Sequence, residues 1–309
     1  MDGFLNILKP PAMTSHDVVK KVRGLFPTVK VGHGGTLDPD AVGVLPLLLG
    51  KATKLSSYLL EFSKVYRAGL QLGITTDTED SSGKVLTKQD VPALSVADIE
   101  KVFHLFQGEI QQIPPMYSAV KQKGKKLYQY AREGRNVDRS PRKVTVYSLK
   151  IIEFYPPSRI LFEVKCSKGT YIRTLCSQIG DYLGCGGHMF SLLRKEVGVF
   201  SIQDAHTIEE LEESYRQNRI AELLLPLDYP FQNCKKLFLE ETEIKALRQG
   251  RYLSYFNLLE KYGQALPEPV DETILPVYTK KSIFTLLARW KKDKKNLFYL
   301  KPEKVLKSC

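Results

Sequence analysis

Residues 32–45 carry the side chain in this sequence that is best placed for chemistry. The stretch reads Gly-His-Gly-Gly-Thr-Leu-Asp-Pro-Asp-Ala-Val-Gly-Val-Leu, and its central carboxylate is Asp38. Pro39 fixes its own φ angle and biases Asp38 toward an extended conformation, which makes the loop stiff. The surrounding glycines can adopt positive φ or let another molecule approach bare backbone. Two interpretations are equally consistent with the stretch: a site with one acidic group, or a tight turn whose aspartate satisfies backbone N–H groups.

The charge distribution indicates a polyanionic partner. The net charge is +12, and residues 121–143 hold nine Lys or Arg against two acids. Residues 280–309 hold ten against two, so the rest of the chain carries about −3. A solubilising face would usually mix its signs, whereas concentrated basic segments are typical of nucleic-acid binding. Tyr117 and Tyr130 alternate with these cations and could stack on RNA bases, while Tyr128 is expected to pack against a helix.

Several function classes are excluded by what the sequence lacks. The five cysteines are odd in number and irregularly spaced, which argues against a disulfide framework and for a cytoplasmic protein. The longest apolar run, residues 41–49, is too short to cross a membrane, which needs about 20 residues. Gly50-Lys51 lacks the earlier glycine and the following Ser or Thr of a phosphate-binding loop. No cofactor or metal is expected, and a metal-dependent nuclease is disfavoured because carboxylates and histidines do not cluster.

The elements that must position Asp38 are mostly strands. Residues 4–8, 65–73, 143–155, 159–166 and 191–198 have strand composition. Helices are expected after Thr14 or Ser15, after Ser95 and over residues 172–183. Long, often consecutive strands with helices between some of them predict an α+β fold. We expect a large mixed, mainly antiparallel sheet flanked by helices, rather than a doubly wound parallel sheet.

A domain boundary is expected near residue 230. Pro226 and Pro230 bracket a short connector, and basic character resumes after Asn233. The sequence therefore predicts a large domain over residues 1–230 and a small β-rich domain over residues 231–309.

The stretch around Asp38 resembles the catalytic motif of the TruB family of tRNA pseudouridine synthases. Further segments resemble that family in the same order, over roughly residues 3–230. They are Lys9-Pro10, Thr14-Ser15, Lys64-Val65-Tyr66-Arg67, Pro114-Pro115-Met116-Tyr117-Ser118-Ala119, Gly124-Lys125-Lys126-Leu127-Tyr128, Cys166-Ser167-Lys168-Gly169-Thr170-Tyr171-Ile172-Arg173 and Leu183-Gly184-Cys185-Gly186-Gly187-His188. The pseudouridine-synthase fold follows from the resemblance, as does a PUA-type RNA-binding domain at the C-terminus. Asp40 departs from the family pattern and places a second carboxylate near the first, which is expected to raise the pKa of Asp38.

The resemblance implies an isomerase that acts on tRNA. The uracil of a T-loop uridine, conventionally position 55, would be flipped out, detached from its sugar, rotated and rejoined through carbon. An ionised aspartate can carry out this reaction as a nucleophile without a metal or cofactor. The role of the carboxylate stays open at this point: it could attack the sugar, attack the base, stabilise the sugar as the glycosidic bond breaks, or act through an intermediate eliminated across the sugar. The order of the bond-making steps also stays open.

The resemblance also assigns roles to individual residues. Asp38 would be the catalytic carboxylate, and Arg173 would form an ion pair with it. The ring of Tyr66 would lie against the flipped base, and its hydroxyl would transfer a proton. Tyr171 would contact the flipped nucleotide, and Leu192 would form an apolar wall of the pocket. His33 would occupy the space that the flipped base leaves.

The basic segment supplies the expected tRNA contacts. Lys121, Lys123, Lys125 and Lys126 are the predicted RNA-binding residues, and the T-arm of tRNA is the predicted partner of a monomer. An alternative function is an RNA-binding folding helper, which opens and re-anneals the tRNA elbow with catalysis secondary or lost. The two functions differ in whether Asp38 is required.

Overall fold

The computed structural model describes residues 1–122 and 124–306. The strands are β1 (Gly3–Lys9), β2 (Val31–His33), β3 (Val42–Leu49), β4 (Lys64–Leu72), β5 (Ile74–Thr76), β6 (Val85–Lys88), β7 (Gly108–Gln112), β8 (Lys121–Gln122), β9 (Lys125–Lys126), β10 (Arg142–Tyr155), β11 (Arg159–Cys166), β12 (Gly187–Val197), β13 (Phe200–Ser201), β14 (Leu237–Leu239), β15 (Leu253–Ser254), β16 (Ile274–Thr279), β17 (Phe284–Lys292) and β18 (Phe298–Val305). The helices are α1 (Ser15–Leu25), α2 (Ser56–Glu61), α3 (Val96–Leu105), α4 (Leu127–Arg132), α5 (Ile172–Tyr182), α6 (Ile208–Arg216), α7 (Ile220–Leu223), α8 (Glu241–Arg248) and α9 (Tyr255–Tyr262).

A nine-stranded sheet organises the larger part of the chain. Its main path is β1-β3-β12-β4-β11-β10-β7, with β2 paired to β3 and β13 paired to β12. The pairing of β12 with β3 is parallel, and the other pairings of this sheet are antiparallel. The predicted α+β class with a large mixed, mainly antiparallel sheet is therefore confirmed.

One face of the central strands is covered by α3 and α5. Alternate residues of β4 and β11 point to this face and form a buried core with apolar residues of both helices. Ser95 and Asp98 cap the start of α3 reciprocally, which orients its apolar stripe toward the sheet.

The loop that carries Asp38 joins two paired strands. β2 pairs with β3 in antiparallel register from Val31 opposite Leu49 to His33 opposite Leu47. The Gly34 N–H then donates to the Pro46 carbonyl over 2.8 Å, which closes the base of the loop. Helix α1 packs nearby, and its N-terminus is fixed by a reciprocal capping pair between Thr14 and Asp17.

The C-terminal part forms a second, five-stranded sheet in the order β14-β16-β17-β18-β15. Helices α8 and α9 pack on it around Trp290, which is fully buried. Leu287 and Leu306 also join a core cluster with Phe4 of the first strand, so this sheet packs against the large one. The β-rich character expected of the C-terminal part is confirmed, while the boundary at residue 230 remains a prediction.

Within residues 1–122 and 124–306, no helix is long and apolar enough to cross a membrane.

Candidate active site

Two buried groups hold the Asp38 loop on either side of the carboxylate. The Leu37 N–H donates to the Ser15 hydroxyl over 2.8 Å, at the start of α1. The Lys9 ammonium, at the end of β1, donates to the Pro39 carbonyl over 2.8 Å and also to the carbonyls of Pro10 and Met13. Backbone atoms immediately before and after Asp38 are thus bonded to two different elements. The stiffness expected from Pro39 is reinforced by tertiary contacts.

The glycines of the loop are explained mainly by internal packing. A Cβ at Gly34 would lie 2.6 Å from Cδ2 of Leu59, on α2. A Cβ at Gly43, where φ is +121°, would lie 2.2 Å from the Arg194 carbonyl oxygen on β12. Gly43 thus shows the positive φ expected of these glycines, and at both positions the neighbouring protein occupies the space that another molecule would need.

Arg173 forms the central contact of the site. Its Nε lies 3.0 Å from Asp38 Oδ2, and its Nη2 donates to Asp38 Oδ1 over 3.4 Å. This is a side-on bidentate pair, the geometry in which a guanidinium binds a carboxylate most specifically. The Arg173 side chain is 6% exposed and that of Asp38 is 40% exposed. The arginine is therefore a buried support, while the carboxylate remains accessible to a substrate.

The other N–H groups of Arg173 contact two further loops. Its Nη1 donates to the Thr78 carbonyl over 3.1 Å and lies 3.5 Å from Asp80 Oδ2. Its Nη2 also donates to the Tyr117 carbonyl over 2.9 Å. Asp80 is itself held, because its Oδ1 accepts from the hydroxyl of Thr78 and from the hydroxyl and backbone N–H of Ser82. One guanidinium thus joins three loops that are distant in sequence.

The electrostatic environment of Asp38 contains opposing influences. Burial among protein atoms raises the pKa of its carboxyl, and the nearby charges of Asp80 and Asp40 raise this pKa further. Arg173 and Lys9 act in the opposite direction and stabilise the ionised form. The net pKa of Asp38 lies above the ordinary value of an aspartate. Asp40 therefore acts on Asp38 in the direction expected from the sequence, although it is the weakest of these influences.

Tyr66 and Arg194 face each other on neighbouring strands. They are direct partners in the register of β4 and β12, so their side chains share one face of the sheet. Burial raises the pKa of the Tyr66 hydroxyl, while the charge of Arg194 and its hydrogen bond to this hydroxyl lower it. The net pKa of Tyr66 is raised, so the residue presents a neutral phenol at physiological pH.

Arg194 is a residue of this site that sequence reasoning missed. It is 1% exposed, and its guanidinium donates to the carbonyls of Val44, Thr36 and Gly35 over 2.8, 3.1 and 3.1 Å. It therefore supports the Asp38 loop from below. The signal in the sequence was an arginine at an inward position of a strand, two residues after Leu192, where an apolar side chain is the rule.

Comparison with known proteins identifies the family. Residues 23–172 match the family described as TruB family pseudouridylate synthase (N terminal domain). Residues 173–232 match the tRNA pseudouridylate synthase B C-terminal domain. The chain is 48% identical over 281 residues to tRNA pseudouridine synthase B of Alkaliphilus oremlandii (strain OhILAs), which covers 91% of each chain. The chain belongs to the TruB family of pseudouridine synthases. The family and the enzyme class, an isomerase, that the sequence predicted are both confirmed.

The similarity extends to the C-terminal part and to solved structures. The tRNA pseudouridine synthase B of Moorella thermoacetica is 39% identical over 308 residues, which covers 99% of each chain. A chain in the crystal structure of a Cbf5-Nop10-Gar1 complex superimposes with a TM-score of 0.75 at 27% identity. The superposition covers 98% of this TruB-family chain and 84% of that one.

Besides Tyr66, the predicted substrate-binding residues are Tyr171, Leu192 and His33, which lie on three different segments of the chain. Tyr171 precedes α5, and its backbone is held by Gln112, whose amide accepts from the Tyr171 N–H over 2.9 Å and donates to its carbonyl over 3.2 Å. Leu192 pairs with Ala68 and lies on the same face as Tyr66 and Arg194. His33 Nδ1 accepts from the Gly35 N–H over 3.3 Å, and burial lowers the pKa of its imidazole. The roles of these residues in this TruB-family chain remain predictions.

Three of the predicted RNA-binding lysines, Lys121, Lys125 and Lys126, lie on the paired strands β8 and β9, here called the basic hairpin. Lys121 pairs with Lys126 across it, and Lys125 forms an ion pair with Glu133. The Lys125 and Lys126 ammonium groups lie over the rings of Tyr130 and Tyr128. Lys123 lies outside the described residues.

The basic hairpin is connected directly to the Arg173 site. Tyr117, whose carbonyl binds Arg173, lies just before it, and the Tyr128 N–H returns to the Ser118 carbonyl over 3.1 Å. Tyr128 and Tyr130 each have a cation of this segment over the ring. Base stacking on these two tyrosines would require those cations to move.

Proposed function

We propose that the protein converts a T-loop uridine of tRNA, conventionally position 55, to pseudouridine, with Asp38 as the nucleophile. The observation that carries this proposal is the accessible Asp38 carboxylate, held side-on by the buried Arg173 on a loop bonded to two further elements. The tRNA substrate is supported by the names of relatives similar over nearly the whole chain. Its T-arm is the natural partner of the basic hairpin.

The walls around Asp38 suit a base that has left its stack. Tyr66 and Leu192 share the face of the sheet beside the carboxylate, so a flipped uracil would meet an aromatic ring and an aliphatic side chain. Tyr171, just before α5, has its backbone held by Gln112, and its side chain would contact the nucleotide. A pocket of this kind selects a small pyrimidine mainly by shape and stacking.

The reaction is an isomerisation that needs no net oxidation or added group. The bond between N1 of uracil and C1′ of ribose breaks, and a bond between C5 and C1′ forms after the base has rotated. Asp38 is positioned to share the positive charge that develops at the sugar, or to bond covalently during the exchange. Arg173 opposes the rise in the pKa of Asp38 that burial causes, and so favours the ionised carboxylate that either role requires.

A proton must also leave C5 once the new carbon–carbon bond has formed. Tyr66 is the polar side chain of the sheet face that lies against the expected base. Its hydroxyl is neutral at rest, because burial raises its pKa, and the adjacent Arg194 favours the phenolate form. We assign Tyr66 to proton transfer as well as to stacking. Its hydroxyl would give its proton to N1 of the rotated base, and the phenolate so formed would take the proton from C5, which leaves the phenol neutral.

The wider assignment follows from charge and chain organisation. We place the enzyme in the cytoplasm as a monomer, without metal or cofactor, with residues 1–230 as the catalytic domain. Residues 231–309 would form a PUA-type domain that extends the RNA-binding surface, in keeping with the ten Lys or Arg among residues 280–309.

The decisive test compares Asp38→Asn with Asp40→Asn on a tRNA transcript. Asparagine at position 38 keeps the shape and one acceptor oxygen but removes the nucleophilic charge. We expect Asp38→Asn to lower the rate of pseudouridine formation by about ten-thousandfold or more, with tRNA affinity nearly unchanged. Asp40→Asn is the matched control, since it removes an exposed neighbouring charge and should keep most of the activity.

The same experiment separates catalysis from a folding-helper function. Pseudouridine made at an undiminished rate by purified Asp38→Asn protein would overturn the assignment of the nucleophile. If the unmodified protein bound tRNA tightly but formed no pseudouridine, the folding helper would be the better account. Mapping pseudouridines in bulk tRNA from cells with and without the gene then identifies the uridine.

A further inference from the structure

A cavity of about 410 Å³ lies beside β2 and is lined by residues of α1, of β2 and of the segment that follows β3. Its size falls within the range of about 300–1,000 Å³ that is typical of ligand sites. The side chains of Val19 and Leu48 contribute an apolar floor. The polar groups around the cavity are His16, Arg23, Lys30, His33, Thr53 and Ser56. Asp38 is not among the lining residues.

The walls of the cavity are chemically suited to a phosphate group. Arg23 and Lys30 bring two cationic side chains, and no aspartate or glutamate lines the cavity to neutralise them. Arg23 is held in place, because its Nη2 donates to the Val31 carbonyl over 2.8 Å. The hydroxyls of Thr53 and Ser56 and the ring of His16 add donors of the kind that contact phosphate oxygens and sugars in RNA complexes.

Gly32 gives an independent indication that a ligand comes close to this part of the cavity. A Cβ at Gly32 would meet only Cγ2 of Thr53, at 4.0 Å, so neither packing nor steric conflict within the described residues requires a glycine there. This contrasts with Gly34, where Leu59 occupies the space. Because Thr53 and Gly32 both line the cavity, the bare backbone of Gly32 faces the cavity itself. Bare backbone of this kind is expected where a ligand comes close.

The cavity is continuous with the catalytic loop through His33. This residue lines the cavity, and its Nδ1 accepts from the Gly35 N–H in the loop that leads to Asp38. An RNA strand that crosses His33 would therefore present one nucleotide to Asp38 and an adjoining one to the cavity. We propose that the cavity binds the phosphate and sugar of a nucleotide next to the target uridine. This inference rests on the proposed function, because it assumes the same RNA strand.

The first experiment removes the two cations of the cavity. Arg23→Gln with Lys30→Gln should weaken RNA binding roughly ten- to hundredfold. The plot of log affinity against log salt concentration should lose about 0.7 of its slope, because one single-strand phosphate contact is removed. KM for RNA should rise while kcat stays nearly unchanged. The matched control is Lys21→Gln with Lys101→Gln, which removes the same charge from positions outside the cavity and should change neither quantity.

The second experiment uses the unaltered protein and so does not depend on the folding of a variant. Single phosphates on either side of the target uridine are replaced by neutral methylphosphonates, and dissociation constants are measured. At one neighbouring linkage, the replacement should weaken RNA binding by the unaltered protein about tenfold. The same replacement should not weaken RNA binding by the double variant Arg23→Gln, Lys30→Gln any further.

The outcomes distinguish this inference from the proposed function. Equal losses in both proteins at every linkage, or a double variant that behaves like its control, would overturn the assignment of the cavity. Binding of uridine monophosphate in the cavity that RNA does not displace would overturn it too, since the ligand would then be a free nucleotide. Failure of the unaltered protein to form pseudouridine in the unmodified RNA would instead contradict the proposed function.

Discussion

The active-site arginines and the lysines of the basic hairpin carry the same charge in opposite surroundings. Arg173 and Arg194 are 5% and 1% exposed, and their guanidinium groups bind loop carbonyls and, in Arg173, the Asp38 carboxylate. Lys121 is exposed, and Lys125 and Lys126 keep only surface contacts with Glu133 and tyrosine rings.

This contrast shows how the molecule divides two uses of positive charge. A buried guanidinium with several acceptors organises loops, because breaking any of its contacts leaves an unpaired polar group in the interior. An exposed ammonium contributes little to folding, but it can exchange its surface partner for an RNA phosphate at small cost. We therefore expect substitutions in the two regions to affect different measured quantities.

The strongest way to test the contrast is Arg194→Met. The substitution keeps much of the volume but leaves the carbonyls of Gly35, Thr36 and Val44 without their donor. We expect the free energy of unfolding in urea to fall by about 3–5 kcal/mol and the catalytic rate to fall with it. Arg194→Lys should recover part of the stability, since an ammonium can still donate. A stability change below about 1 kcal/mol for Arg194→Met would contradict the supporting role.

A second test concerns the glycines of the same loop. Gly34→Ala places a Cβ 2.6 Å from Leu59 Cδ2 and should lower the free energy of unfolding by about 1–3 kcal/mol. Gly32→Ala has open space on the protein side and should change stability by less than about 0.5 kcal/mol. Thermal unfolding of both variants measures the difference. Equal destabilisation would mean that the two glycines serve the same structural purpose.

The role of the basic hairpin is tested by a variant that combines Lys121→Gln, Lys125→Gln and Lys126→Gln. The unfolding free energy should change by no more than about 0.5 kcal/mol, because exposed ion pairs contribute little. The affinity for tRNA should fall, and the salt dependence of binding should become flatter. Lys88→Gln, Lys101→Gln and Lys150→Gln together form a control that removes the same charge. An equal loss of affinity in this control would mean that tRNA binding depends on net charge and not on the hairpin.

The smallest expected effect concerns Asp40 and pH. Catalysis needs ionised Asp38, so activity should fall as the pH drops through the raised pKa of this carboxyl. Asp40 contributes to raising that pKa, and Asp40→Asn should therefore move the acid limb of the rate profile toward lower pH. Asp40→Lys should move the limb further in the same direction. The measurement is single-turnover pseudouridine formation across pH, and a shift toward higher pH would contradict the sign.

Much of the architecture could be predicted from local patterns. The strand alternation of β4 and β11, the capping pairs at Thr14 and Ser95 and the stiff Asp38-Pro39 step are properties of neighbouring residues, so the sequence displays them directly. Partners distant in the chain were accessible only through the family resemblance. Arg173, which binds Asp38 from 135 positions away, was found in that way.

The sequence by itself determined the fold class, the stiff carboxylate loop and the basic segments, because these depend on residue type and short-range spacing. The family was identified from the resemblance of several motifs in the same order. Only the tertiary structure decided which charges are buried together. It placed Arg194 under the loop, filled the space beside Gly34 with Leu59, and opened a cationic cavity next to Gly32. The physical reason is that burial, desolvation and steric contact depend on elements far apart in the chain, whose side chains meet only when the sheet forms.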